Sequence, residues 1–279
     1  MLESGALLLI IGCADLARGL TDRLALSRLL GWSSAALVTV AASFLFGIPL
    51  GVSVILLGLS VAWIMAMPSK PEGGTRIWPA VALALIIAVS SALLDSPSRP
   101  VAGLLDLYAA TPLGDAGVSL LSATIGVGCL VFLTRSSNLI TRAAITSRAA
   151  TTDADDAPGE RRHGSSPGTT PFLARIFPRR EDPSPGREAN RQEPGDQATL
   201  VGGRVIGPIE RLMIVAMVLS GAVTVLAALI AAKGVVRFPE ISADRQSGTN
   251  AETFLVGSLA SWSLAGGASL LIWLSVTVS

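Results

Sequence analysis

Long apolar stretches alternate with short polar breaks along this chain. Seven of them approach the roughly 20 residues that a helix needs to cross hydrocarbon: about 4–20, 33–47, 48–67, 77–95, 117–133, 208–232 and 252–276. The second joins the third through "GIPLG", where Pro49 between glycines predicts a tight turn. As one straight helix, 33–67 would measure roughly 52 Å at 1.5 Å per residue, too long for a single crossing. A hairpin is therefore expected. The alternative is one broken or re-entrant element, leaving six passes or fewer. The pattern predicts an all-α, polytopic transmembrane protein of about seven spans, with the lipid bilayer as its first partner.

The apolar pattern stops over 134–204. That segment holds seven prolines, mixed charges and few large apolar residues. It cannot bury enough surface to offset its conformational entropy, and it is expected to be a disordered linker. Its one apolar island, "TPFLARIFPRR" at 170–180, reads as slightly greasy disordered chain, or as a short basic helix lying on an anionic leaflet. Three units follow: an N-terminal membrane domain of about five spans (1–133), the linker (134–204) and a C-terminal two-span hairpin (205–279). Between spans four and five, 101–112 reads as an interfacial helix ended near Pro112.

Composition sharpens the membrane reading. The 279 residues are 51% hydrophobic and only 15% charged, against ~25% charged in soluble domains. A net charge of +1 provides no field for nucleic acid. The two cysteines lie in apolar runs and the one histidine, His163, lies in the linker, so neither a metal site nor another cofactor is expected. "MLES" lacks a basic n-region, so the first stretch reads as a span and not as a cleaved leader. Lysine is rare beside arginine and alanine is abundant, which suggests a bacterial chain.

Basic residues near span ends set the expected orientation. Arg18, Arg23 and Arg28, then Lys70 and Arg76, then Arg135, Arg142 and Arg148 fall on one side, while Asp95, Asp106 and Asp115 face a lone Arg99 on the other. The expected placement is a bacterial plasma membrane, N-terminus outside, linker and C-terminus cytoplasmic. Residues 233–251 are an exception, since Lys233, Arg237 and Arg245 would lie outside.

The last two spans carry most of the candidate chemistry. Small residues recur every fourth position, as Ala216, Ser220, Thr224, Ala228 and Ala232, and again as Gly257, Ser261, Ala265 and Ser269. Such stripes let helices approach closely in lipid, and an antiparallel pair is expected. Glu210 follows Gly207 and Pro208 at the expected start of span six, in ordinary helix-start positions. Glu252 completes a capping box with Thr249. Lys233 and Arg237 share a helix face, and Pro239 is expected to end that helix at Phe238. Lys233, Arg237 and Glu240 would crown this helix beside Glu252. The group reads as an ion-pair cluster locking the hairpin or as a spot for an anionic ligand or partner. Asp15 and Arg18, three apart in span one, are expected to pair with each other.

"IERLMIV", "AAKGVVRFPEI" and "AETFLVGSLASW" together resemble the C-terminal hairpin of a family of bacterial polytopic membrane proteins of unknown function. The resemblance covers about 205–265. It implies that Glu210, Lys233, Arg237, Glu240 and Glu252 are the characteristic polar residues, and it brings no reaction.

No nucleophile elbow, P-loop or zincin motif occurs. Three readings of function remain. The first is a non-enzymatic scaffold or regulator that engages a protein partner through 134–204 and the 233–251 loop. The second is a permease or channel for a small solute, against which stands the scarcity of ionisable residues in the spans. The third, an intramembrane enzyme, lacks gathered carboxylates.

Overall fold

The computed structural model describes residues 1–21, 23–68, 77–93, 104–155, 203–243 and 249–278. Every regular element among them is helical: α1 (Leu2–Arg18), α2 (Leu24–Phe46), α3 (Leu50–Ala66), α4 (Trp78–Leu93), α5 (Leu104–Ala109), α6 (Pro112–Asp115), α7 (Leu120–Thr134), α8 (Ser136–Asp155), α9 (Gly203–Leu219), α10 (Val223–Ala243) and α11 (Thr249–Val278). Two stretches, Leu24–Phe46 and Ala251–Thr277, are long and apolar enough to cross a membrane; the bent pair α7–α8 would make a third. The expected count of seven spans is not reproduced by this measure, because α3, α4 and α10 offer only shorter apolar lengths.

α1 is the centre of the bundle. It packs on α2, α3, α7 and α8, and is buried on nearly every side. Its approach to α7 is backbone to backbone. A Cβ at Gly12 would lie 2.8 Å from Val131 Cγ1 and 2.9 Å from the Phe132 nitrogen, and one at Gly5 only 3.0 Å from Ile125 Cα. Gly128 of α7 answers from the other side, where a Cβ would run into the Gly5 carbonyl. These glycines make the van der Waals contacts that hold helices together where no water is squeezed out.

The α2–α3 hairpin forms as expected. α2 ends on Gly47 in the left-handed region (φ 61°), Pro49 opens α3, and Ser43 and Ser53 share a 2.6 Å hydrogen bond across the pair. α2 begins nine residues earlier than the apolar run suggested, which makes it long enough to cross a membrane.

Polarity is distributed inside out. Phe44 and Leu50 are 74% and 82% exposed, while Ser60, Ser136, Ser137 and Ser275 are fully buried. Most interior hydroxyls bond carbonyls of their own helix, as Ser60 does to Leu56 (2.7 Å) and Thr39 to Ala35 (2.7 Å). An apolar exterior over a hydroxyl-bearing interior is what hydrocarbon, and not water, would select.

Three expectations require correction. Span six is two helices: α9 stops at Leu219, the chain turns at Gly221 (φ 73°), and α10 returns beside it. The C-terminal unit is thus a three-helix arrangement, not a two-span hairpin. Its stripe at Ala216, Ser220, Thr224, Ala228 and Ala232 is split by that turn and exposed, so it packs nothing. The α11 stripe does pack, with Ser261, Ala265 and Ser269 buried in an interface with α7, α8 and α9, not with α10. Second, the supposed linker opens with helix α8, whose Leu139, Ile140, Ala143 and Ala144 are buried in the bundle. The island 170–180 lies outside the described residues. Third, α9 and α10 run through their prolines, Pro208 and Pro239, which neither start nor end a helix. Of the stretch 101–112, residues 101–103 lie outside the described residues, Leu104 to Ala109 are helical, and Pro112 begins a further turn capped by Thr111.

Candidate functional site: a helix break between two buried cations

The apolar run of α7 ends at "TRSSN". Arg135 leaves helical geometry (φ −120°, ψ −46°), α8 restarts at Ser136, and the axis bends by 48°. Such a break strands carbonyls that a continuous helix would satisfy, and in hydrocarbon nothing else can satisfy them. Local side chains take most of that load. Asn138 Nδ2 donates to the Thr134 carbonyl (3.2 Å), Thr134 Oγ1 to Val131 (2.6 Å), and Ser137 Oγ to Leu133 (2.5 Å).

A long-range donor completes the break. Arg211, on α9, is 2% exposed. Its Nη1 donates to the Leu133 carbonyl (3.2 Å) and to Ser137 Oγ (2.6 Å), its Nε to Ser261 Oγ of α11 (2.9 Å), and its Nη2 to Thr141 Oγ1 of α8 (3.4 Å). Gly207, one turn earlier, leaves the room: a Cβ there would crowd Asn138 Oδ1 at 3.3 Å. One guanidinium therefore ties four helices together. All its acceptors are neutral, and among the described residues no carboxylate forms a salt bridge with it.

The adjacent Glu210 faces a different way. Lys233 Nζ donates to both of its carboxylate oxygens (2.6 and 2.7 Å), and Trp262 Nε1 reaches Oε1 at 3.4 Å. The ammonium also lies 5.7 Å from the Trp262 ring centre, a cation–π distance. Twenty-three residues of straight helix would hold Glu210 and Lys233 about 35 Å apart, so their contact is itself a measure of the turn at Gly221. Consecutive residues of α9 thus meet consecutive residues of α11: Arg211 with Ser261, and Glu210 with Trp262.

On the opposite flank of the break lies the second charged group. Asp15 is fully buried; its Oδ1 accepts from Arg18 Nη1 (2.8 Å) and its Oδ2 from Trp63 Nε1 (3.0 Å). Arg18 also donates from Nη2 to the Met67 carbonyl (2.6 Å), lying along α2 where Gly31 makes space. The buried Ser136 hydroxyl approaches Asp15 without reaching hydrogen-bond geometry, and Arg18 Nε is likewise buried without a partner. Trp63 packs on Phe132 at 6.3 Å, one turn before the break. Asp15 pairs with Arg18 and Glu210 with Lys233, while among the described residues Arg211 forms no salt bridge.

Of the five residues singled out in the sequence, the structure brings together Glu210 and Lys233. Glu252 stands in the first turn of α11, ten residues and about 15 Å of helix before Trp262. Arg237 and Glu240 ride on α10 beyond Lys233; their side chains lie outside the described residues. Sequence reasoning singles out neither Arg211 nor the break. Among the described residues no three His, Cys, Asp or Glu side chains gather as a metal site.

No protein-family model, curated protein or solved structure matches this chain.

Proposed function

We propose that the chain is an integral membrane protein that passes a small anionic solute along the α7–α8 break, as a permease or channel. The observation that carries this reading is Arg211, a buried guanidinium beside a helix break that forms no salt bridge with a carboxylate among the described residues. Placing one such charge at membrane depth costs ~2.5–3.5 kcal/mol even on the gentlest scales. A neutral donor such as glutamine would cap the same carbonyl at lower cost. Broken helices with charges beside them are where transported ions and solutes are commonly held. The flanking Asp15–Arg18 and Glu210–Lys233 pairs are neutral, so the local field is positive and favours an anion.

This reading is preferred to the scaffold, which drew its support from 134–204 and the 233–251 loop. The first part of that segment is α8, built into the bundle, and 156–202 lie outside the described residues. An enzymatic reading gains nothing, because Asp15 and Glu210 are each held in an ion pair on opposite flanks of the break. The bacterial plasma membrane remains the proposed location on the arginine bias of the sequence.

The test is osmotic swelling of proteoliposomes, followed by light scattering, with formate, acetate and chloride set against glycerol and urea. Anion-selective swelling above protein-free vesicles, lost in Arg211→Gln while the variant still inserts, is the expected result. Rates equal to those of protein-free vesicles for every solute would sink the proposal.

A further inference from the structure

A cavity of about 450 Å³ opens between α4, α7 and α11, with Ala84 and Ile87, Cys129 and Phe132, and Gly267 and Leu271 among its walls. Among the described residues, side-chain hydroxyls reach it from Ser91 and Ser263 alone, and Ser91 already shares a 2.9 Å hydrogen bond with Ser4. A space of this size has the volume of roughly fifteen waters at about 30 Å³ each, and each would need two to four polar partners. The walls therefore offer water few partners. The cavity is partly open, and Leu270, at its edge, is more than half exposed. Val81 and Leu85 of α4 and Trp273 of α11 extend the same apolar surface outward. What meets the mouth, for a protein placed in a bilayer, is hydrocarbon.

We infer that this cavity holds an acyl chain of a bilayer phospholipid, inserted between α4 and α11 and reaching Cys129 and Phe132. Its inner end then lies against α7 one turn before the break, so that an annular lipid becomes part of the wall of the proposed pathway. The inference rests on the membrane placement proposed above, but not on the identity of the solute.

Two adjacent glycines allow a matched test. Neither Gly266 nor Gly267 has any atom within 4 Å of a Cβ built on it, but only Gly267 lines the cavity. Gly267→Leu therefore adds bulk at the cavity wall from a Cβ that meets nothing, and Gly266→Leu does not line the cavity; both changes favour helix. The wild type and the two variants are reconstituted into phosphatidylethanolamine–phosphatidylglycerol vesicles. These contain a trace of phosphatidylglycerol bearing a diazirine at mid-chain. After illumination, cross-linked peptides are mapped by mass spectrometry.

The expected result is a cross-link on the α7 peptide around Cys129. It should fall roughly tenfold in Gly267→Leu, the factor that about 1.4 kcal/mol of lost binding represents, and persist in Gly266→Leu. Cross-links confined to outward-facing positions such as Leu85 and Trp273, or equal α7 labelling in the two variants, would overturn it. Labelling by a diazirine fatty acid but not by the phospholipid would also overturn it. Vesicle flotation separates the two proposals: protein that fails to float refutes the membrane placement, whereas protein that floats without the α7 cross-link refutes only the lipid.

Discussion

The two charged groups beside the helix break solve the same problem differently. Asp15 and Arg18 sit three residues apart on one helix, and each is the other's counter-ion before any tertiary contact forms. The C-terminal group is spread over three helices. Glu210 takes its cation from α10, Arg211 keeps its charge, and neither arrangement exists until α9, α10 and α11 have assembled. The first group is neutral and sealed; the second is partly open at Glu210 and Lys233 and carries a net cation. A charge neutralised within one turn serves architecture. A charge left unneutralised, at the point where a helix is interrupted, is the one that a solute could use.

That contrast can be broken most severely at Asp15. Asp15→Leu strands Arg18 as a buried, unpaired guanidinium, a change that typically costs about 3–5 kcal/mol. The folded, monodisperse fraction in detergent should collapse, and Asp15→Leu/Arg18→Leu together should recover much of it. A well-folded single variant would mean that this pair is not structural. The next effect belongs to the interface that seals the pair. Gly128→Ala forces α7 off α1 and should cost about 1–3 kcal/mol of thermal stability through overpacking, while Gly126→Ala, with open space around its Cβ, should cost nothing measurable.

Arg211→Met comes third. Ser137 and Thr141 already donate to the Leu133 and Ser137 carbonyls at 2.5 and 2.9 Å, so they stay satisfied when the guanidinium leaves. The stability loss should be about 1 kcal/mol, the net worth of an ordinary hydrogen bond, with solute flux abolished. A loss as large as that of Asp15→Leu would erase the distinction between the two groups. Lys233→Met should matter least. Its pair with Glu210 is partly solvated, and such pairs contribute ~0–1 kcal/mol. A thermal-shift series in rising salt would show this small difference shrinking further.

The N-terminal region was the more legible because its information is local. Hydropathy located α1, α3, α4 and α7, "GIPLG" located the α2–α3 turn, and the spacing of Asp15 and Arg18 identified their pair. The C-terminal region was misread for a definite reason. Residues 212–232 hold no charged residue, and hydropathy does not register a reversal inside such a run. The signal was the dipeptide Ser220-Gly221, a turn-former in water and a kink-former in lipid. α8 was hidden by the converse error. Its outward face is polar enough to resemble a linker, while Ser136, Leu139, Ile140, Ala143 and Ala144 repeat at helical spacing. Arg211 had no sequence signal of its own, because its acceptors lie between 50 and 78 residues away.

The turn at Gly221 also changes the parity of the chain. With one helix over 208–232, the start of that helix and the cations beyond its end would lie on opposite faces of a bilayer, leaving Lys233 and Arg237 against the usual charge asymmetry. With the chain folded back on itself, the beginning of α9 and the end of α10 point the same way, as the contact between Glu210 and Lys233 requires. For a protein inserted as proposed, the two cations then join the face that already carries Arg18, Arg23 and Arg28, and the exception to the charge rule disappears. Everything after α10 is inverted relative to the seven-span reading, and α11 would deliver the C-terminus to the opposite compartment.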